Sequence, residues 1–225
     1  MTTDKAPQKI LRMFDDIAES YDRNNNIISF GTHTGIKARA LNELKISNND
    51  KILDICCGTG DIGKILLKKN SQLDITGVDF SEKMLSVGSK RLGNKVKFIK
   101  ADATELPFED NSFNIITMAF GLRNIQNRKK ALQEAYRVLK QNGELLHLDF
   151  GVKNFPSKIF DIIAQSGIKL FYGNGLPYEY LINSKNEFPE PEELIMEFKA
   201  DGFKIKKRKD FLFGIISMQI FTKVE

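Results

Sequence analysis

The sequence predicts an α/β fold in which helices cover both faces of a doubly wound, mostly parallel sheet. Three observations predict it. Short β-prone runs alternate with helical stretches between residues 51 and 150, which is the rhythm of βαβ units. The first run opens into a glycine-rich turn, CCGTGDIG at 56–63, where sheets of this kind hold ligands. The chain has 225 residues, 41% hydrophobic and 28% charged, enough for one sizeable core and too few for two.

The elements follow in order. Ile10, Leu11, Phe14, Ile17, Ala18 and Tyr21 recur at helical spacing and predict a leading helix that stops at the polar stretch DRNNN. A second helix is expected after SFGTHT, with Ile36, Ala40, Leu41 and Leu44 on its buried face. Strands are expected at KILDI (51–55), DITGVD (74–79), VKFIKA (96–101), NIITMAF (114–120) and GELLHLDF (143–150), with helices around 61–69, 81–91 and 127–139 between them. The apolar and aromatic stretch 155–182 is too long for a plain connection and reads as a helical insertion and lid. PEPEELIMEFKADGF starts with proline and acidic residues and ends at Gly202, the marks of one more helix. FKIKKRKDF and GIISMQIFTKV then form a closing strand pair. One domain results, divided into a helical cap (1–48), a cofactor-binding core (49–150), a substrate lid insertion (151–190) and a terminal helix with its strand pair (191–225).

Composition excludes several classes. Cys56 and Cys57 are adjacent and cannot readily form an ordinary disulfide, and His33 and His147 are too far apart to suggest a zinc site. No metal is expected. MTTDKAPQKILRMF carries charges where a secretion signal needs an apolar core, and no stretch approaches about 18 uninterrupted apolar residues. The expected location is cytoplasmic. The net charge is +5, but the basic residues are scattered apart from KIKKRK at 204–209. No aromatic and basic platform for RNA stands out, so nucleic acid is not an expected partner.

Gly58, Gly60 and Gly63 spell G-x-G-x-x-G, the pattern of a dinucleotide crevice. Asp79 even supplies the acidic residue expected about 20 positions further on. Spacing does not decide between ligands, but charge does. Asp54 ends the first strand just ahead of the loop, and a carboxylate there repels a pyrophosphate and attracts the sulfonium of S-adenosylmethionine. Asp79, with Phe80 beside it, is placed to take ribose hydroxyls of either ligand, and Asp102 and Ala103 lie where an adenine amine and ring nitrogen would be met. Three acidic residues at successive strand ends favour the cationic cofactor. Met84 either covers the adenine or is plain core, Asp54 and Asp79 can also serve as helix or turn caps, and Gly63 is expected to serve helix packing. The two cysteines read as small buried residues rather than nucleophiles.

LDICCGTGD (53–61), VDFSEKML (78–85), ADATELPFEDNSFNIITMAFGLRN (101–124) and ALQEAYRVLKQNGELLHLDF (131–150) resemble the class I C-methyltransferases of menaquinone and ubiquinone biosynthesis. YDRNNNIISFGTHTGIKARAL and YEYLINSKNEFPEPEEL are similar to that family's opening and later segments. The resemblance implies a Rossmann-like, seven-stranded sheet with an antiparallel seventh strand. The implied reaction moves a methyl group from S-adenosylmethionine to a ring carbon of a polyprenylated quinol. Family cofactor contacts fall on Thr59, Asp79, Asp102 and Ala103, and a serine of some members falls on Ala119, which has no hydroxyl to offer. SGIKLFYGNGLP (166–177) departs from the family pattern, which leaves the preferred tail open.

A ring carbon beside a phenol attacks well only after the phenol loses its proton. Arg123 in FGLRN is the first choice to stabilise the phenolate or orient a water, against the alternative of a structural ion pair. His33 is the candidate base or else a helix-capping residue, and His147 reads as core. Asn124, Tyr178 and Tyr180 are candidate donors to the quinol oxygens, and Ile159, Phe160, Ile163 and Phe171 line a tail groove or are core. With a greasy substrate and no span, a peripheral membrane contact is expected, with KIKKRK the candidate surface. The oligomeric state stays open, a homodimer included. So do a methyltransferase for another small-molecule or RNA acceptor, a non-catalytic adenosylmethionine-binding scaffold and a dehydrogenase.

Overall fold

The computed structural model describes residues 6–162 and 176–224, with the side chains of 176–179 outside that description. Helices α1 (Pro7–Ile17), α2 (Tyr21–Ile28) and α3 (Thr32–Leu41) precede β1 (Lys51–Ile55). Then come α4 (Asp61–Lys69), β2 (Asp74–Asp79), α5 (Glu82–Leu92), β3 (Lys97–Lys100), β4 (Phe113–Ala119), α6 (Arg128–Val138) and β5 (Leu139–Phe150). Residues 155–162 form α7. α8 (Leu176–Glu187), α9 (Pro191–Ala200), β6 (Phe203–Phe211) and β7 (Ile216–Lys223) complete the described chain.

The seven strands lie in the order β3-β2-β1-β4-β5-β7-β6. β7 runs antiparallel to both neighbours and the other pairings are parallel. Strand order reverses between β1 and β4, the switch point beside which open sheets bind ligands. Side chains alternate between two cores, as the pleat requires. Ile52, Ile75, Ile115, Leu146 and Ile220 meet α3 and α4 on one face, whereas Leu53, Ile116, Leu145 and Phe221 meet α6 and α9 on the other.

The expected strands and helices of the core appear within a few residues of their predicted limits. β5 is the largest departure, beginning at Leu139 rather than 143 because the chain passes from α6 into the strand without a loop. The polar stretch DRNNN does not end a helix but lies inside α2. Its register is set by Asn24, whose amide donates to Ser20 Oγ at 3.0 Å while its side chain is buried. α3 starts within SFGTHT, at Thr32, and buries the expected Ile36, Ala40 and Leu41. At α9, Glu190 and Glu193 form a capping box and Pro191 opens the first turn.

Candidate functional site

Strands β1, β2 and β4 end at one rim of the sheet and deliver the loop Cys56–Gly60, Asp79 and Phe120 to a common cavity. It encloses about 1010 Å³, counting its open mouth. Gly58, Asp79, Phe80, Met84, Asp102, Ala103, Ala119 and Asn124 all line it. Asp79 and Asp102 are the charged side chains among the described lining residues, and no lysine or arginine stands among them. A pyrophosphate has no cation to meet on this wall.

Asp79 organises the cavity floor. One carboxylate oxygen accepts from the Gly58 backbone N–H at 2.9 Å and the other from Ser81 at 3.0 Å. Each oxygen retains capacity for a further donor. Burial pushes this carboxyl up, against the pull of the backbone bonds from Ser81 and Gly58. Ser81 caps α5 by accepting from Met84 N at 3.1 Å, so the residue before the helix and the floor of the cavity share one turn. Asp102 accepts from Thr104 N at 2.8 Å, which fixes the turn after β3.

The glycine loop is shaped by two left-handed positions, Gly58 at φ +54° and Gly60 at φ +79°. Gly63 has the packing role expected of it, because a Cβ there would stand 3.1 Å from Val96. Cys56 and Phe120, both on the wall, also adopt positive φ, 58° in each case. Their strand ends touch, since Gly121 leaves the space that the Cys56 side chain fills. Such non-glycine outliers concentrate at functional sites. Burial lifts both thiols well above the ordinary cysteine range, which agrees with cysteines that are not nucleophiles.

Other expected site residues stand behind the wall. Asp54 is buried beneath the loop; one oxygen accepts from Thr117 Oγ1 at 2.7 Å and the other has no partner. Burial raises its carboxyl to about 7. Thr59 turns away from the cavity and donates to Asp22 at 2.6 Å, and Gly60 packs on Phe98. Arg123 does not reach the cavity. It is buried, donating to the Phe120 carbonyl at 2.6 Å and to Asp149 at 3.0 Å, with its guanidinium over the Phe150 ring. His33 also lies off the wall, bonded to Ser29 and Thr34 and 3.7 Å from Asp61. Burial and neighbouring Lys37 lower its basicity. His147 is core, as expected, held by Gln219 at 2.6 Å. The Tyr178 side chain, Ile163 and Phe171 fall outside the described residues. Phe160 packs toward the core whereas Ile159 faces out.

Sequence reasoning missed the cap as a wall. Pro7, Ile10 and Phe14 of α1 and Tyr21 of α2 line the cavity. Two long-range clips hold them there: Ser81 donates to Asp15 at 2.6 Å, and Arg91 joins Asp22, the Thr59 carbonyl and Asp61. The outward polar residues of an amphipathic leader are an insufficient signal for such partners.

The ubiE/COQ5 methyltransferase family matches residues 2–223. The chain belongs to the ubiE/COQ5 methyltransferase family. A demethylmenaquinone methyltransferase of Thermotoga maritima is 39% identical over 208 residues, covering 89% of this chain and 90% of that protein. One from Staphylococcus aureus is 37% identical over 225 residues, 96% and 93% of the two chains. A solved S-adenosylmethionine-dependent methyltransferase from Thermotoga maritima superposes with a TM-score of 0.69 at 22% identity, covering 95% and 99% of the two chains. The likeness confirms the fold.

This ubiE/COQ5 methyltransferase therefore uses S-adenosylmethionine. The cavity fits that ligand: a two-oxygen acceptor in Asp79, apolar cover in Phe80 and Met84, an acidic rim, and the orphaned carboxylate oxygen of Asp54 below.

Proposed function

We propose that this enzyme methylates a ring carbon of a polyprenylated quinol, demethylmenaquinol ahead of the benzoquinol equivalent. The observation that carries this reading is near-full-length likeness to relatives named demethylmenaquinone methyltransferase, 37–39% identical. The cofactor, once bound, supplies an electrophilic methyl on a positively charged sulfur. Gly58, Asp79, Phe80, Met84, Asp102, Ala103 and Ala119 hold it, and Asp54, Thr59 and Gly60 fix the loop from behind.

The acceptor enters beside Phe120 and Asn124. Asn124 lines the cavity, and its amide is held between the Tyr180 hydroxyl, which donates to it at 3.1 Å, and the Phe120 carbonyl at 3.4 Å. Burial pushes Tyr180 up to about 12, so at neutral pH its hydroxyl is a donor and not a base. Asn124 thus presents a neutral, fixed polar group to a quinol oxygen, whose proton leaves to water. Arg123 is a positioning residue that clamps the Phe120 carbonyl. Among the described residues no helix is long and apolar enough to cross a membrane, and we place the enzyme at the inner membrane face as a peripheral protein.

Labelled adenosylmethionine offered with demethylated naphthoquinols and benzoquinols tests the proposal. Methyl transfer to the naphthoquinol ring is expected, and label in neither quinol overturns it. Asp79→Ala is expected to weaken adenosylmethionine binding by about 100-fold or more, through loss of a ligand acceptor and of the Gly58 tether.

A further inference from the structure

We infer that the β6–β7 turn and the outer face of α7 form a docking surface for an anionic lipid bilayer. The inference rests on the prenylated-quinol reading and adds the surface through which the enzyme meets its substrate. Phe213 is 88% exposed, Phe155 74%, Leu212 42% and Ile159 40%. They form one patch. Gly151 and Val152 donate backbone bonds to Ile215 and Gly214 at 2.8 and 2.9 Å, and the Asn154 amide donates to the Phe213 carbonyl at 2.8 Å. That seats Phe155 beside the turn, and Ile159 follows one helical turn later on the same face.

The turn keeps its apolar residues outward at a conformational cost. Leu212 and Phe213 have φ of 49° and 56°, a region that bulky side chains rarely adopt. Contiguous apolar surface of this kind marks an interaction site. Its neighbours specify the partner by charge: Lys153 and Lys158 are exposed and have no ion-pair partner among the described residues. Aromatic tips flanked by free lysines suit a surface of acyl chains below anionic headgroups. The expected basic run is a weaker candidate. Lys206 pairs with Glu144, Lys207 and Lys209 with Glu43, and Arg208 with Glu192 and Asp210.

Position supports the same occupant. β5 and β6 end at Phe150 and Phe211, on the rim where β1, β2 and β4 open into the cavity. A bilayer against the patch meets the rim from which an isoprenoid tail would reach the acceptor site.

The test uses full-length protein and flotation with phosphatidylcholine vesicles, with and without phosphatidylglycerol. Binding is expected with phosphatidylglycerol. Phe155→Ser combined with Phe213→Ser should lower it by about tenfold or more, with thermal unfolding unchanged because both rings are exposed. Lys153→Glu with Lys158→Glu should weaken binding by about tenfold, with phosphatidylglycerol vesicles alone affected. Wild-type protein that fails to float, or an aromatic double variant that floats normally, overturns the surface. So does a dimer in sedimentation that Phe213→Ser disperses while flotation persists, which would assign the patch to a second copy. Methyl transfer to a tail-truncated, water-soluble quinol, without vesicles, should be equal in wild type and double variant. Its failure in wild type strikes the quinol reading, whereas flotation decides the surface.

Discussion

Arg123 and Asp149 form a buried ion pair, Nη1 to Oδ1 at 3.0 Å, with side chains 8% and 0% exposed. The carboxylate also accepts from Phe150 N at 2.8 Å, and the same guanidinium Nη1 donates to the Phe120 carbonyl at 2.6 Å. The pair therefore joins the end of β5 to the turn that carries Asn124.

Arg123→Ala leaves Asp149 buried without its cation, which should destabilise the fold by about 3–5 kcal/mol. Replacing both residues by apolar ones of similar size, Arg123→Met with Asp149→Leu, should recover most of that loss, as urea unfolding will report. Methyl transfer should stay slow in the double variant while adenosylmethionine affinity holds. A double variant with wild-type turnover would deny Arg123 its positioning role.

Asp54 predicts a pH dependence. Its folded-state carboxyl lies near 7, raised by burial above its ordinary range. The folded protein thus holds a proton that the unfolded chain has released, so this contribution to stability is present below about pH 4 and is lost as pH rises through 7. Asp54→Asn should be the more stable protein at pH 8 by about 4 kcal/mol and nearly equal to wild type at pH 4, by thermal unfolding. Adenosylmethionine affinity has the opposite slope. A sulfonium favours the ionised carboxylate, so wild-type affinity should climb between pH 6 and 8, with proton release in calorimetry, while the Asn variant stays flat.

Where the sequence was legible, local chemistry set the structure. Alternation of β-branched runs with helices located β1 to β5, and the acidic residues at strand ends placed Asp79 and Asp102 on the cavity wall. Asp54 shows the limit. Its place at the end of β1 was readable, but the pleat turns it to Thr117 under the loop rather than into the cavity. Arg123 and His33 misled for a related reason. A charged side chain near a rim reads the same whether it faces ligand or a buried partner, and Asp149 and Asp61 lie 26 and 28 positions away in the chain. The cap's role was hidden likewise, because Asp15 and Asp22 find their partners on α5 and the glycine loop only after folding.

Those clips give the third prediction. Asp22 accepts from Thr59 Oγ1 at 2.6 Å and from Arg91. Asp22→Ala should cost about 1–2 kcal/mol for two charge-assisted bonds at a partly exposed site. Amide exchange should speed up in α1 and α2 and stay slow in β1 and β4. Because Ile10, Phe14 and Tyr21 belong to the wall, adenosylmethionine should dissociate faster. Unchanged exchange in α1 and α2 would mean that apolar packing alone holds the cap.

Gly60 separates backbone conformation from packing. Its φ is +79°, and a Cβ there would come within 2.9 Å of Phe98 and 3.0 Å of Leu92. Gly31, at φ +74° and ψ 0°, has nothing within 4 Å of the same added atom. Both substitutions to alanine incur the left-handed penalty, about 1 kcal/mol. Gly60→Ala must also push aside two side chains in a close-packed layer, a further ~1–3 kcal/mol. Gly31→Ala should therefore shift the unfolding midpoint slightly and leave cofactor binding alone, whereas Gly60→Ala should lose about 2–4 kcal/mol and weaken adenosylmethionine binding as the loop that carries Gly58 shifts. Equal losses in the two variants would leave backbone strain as the whole effect and remove the packing of α4 on Phe98 from the account of how the loop is held.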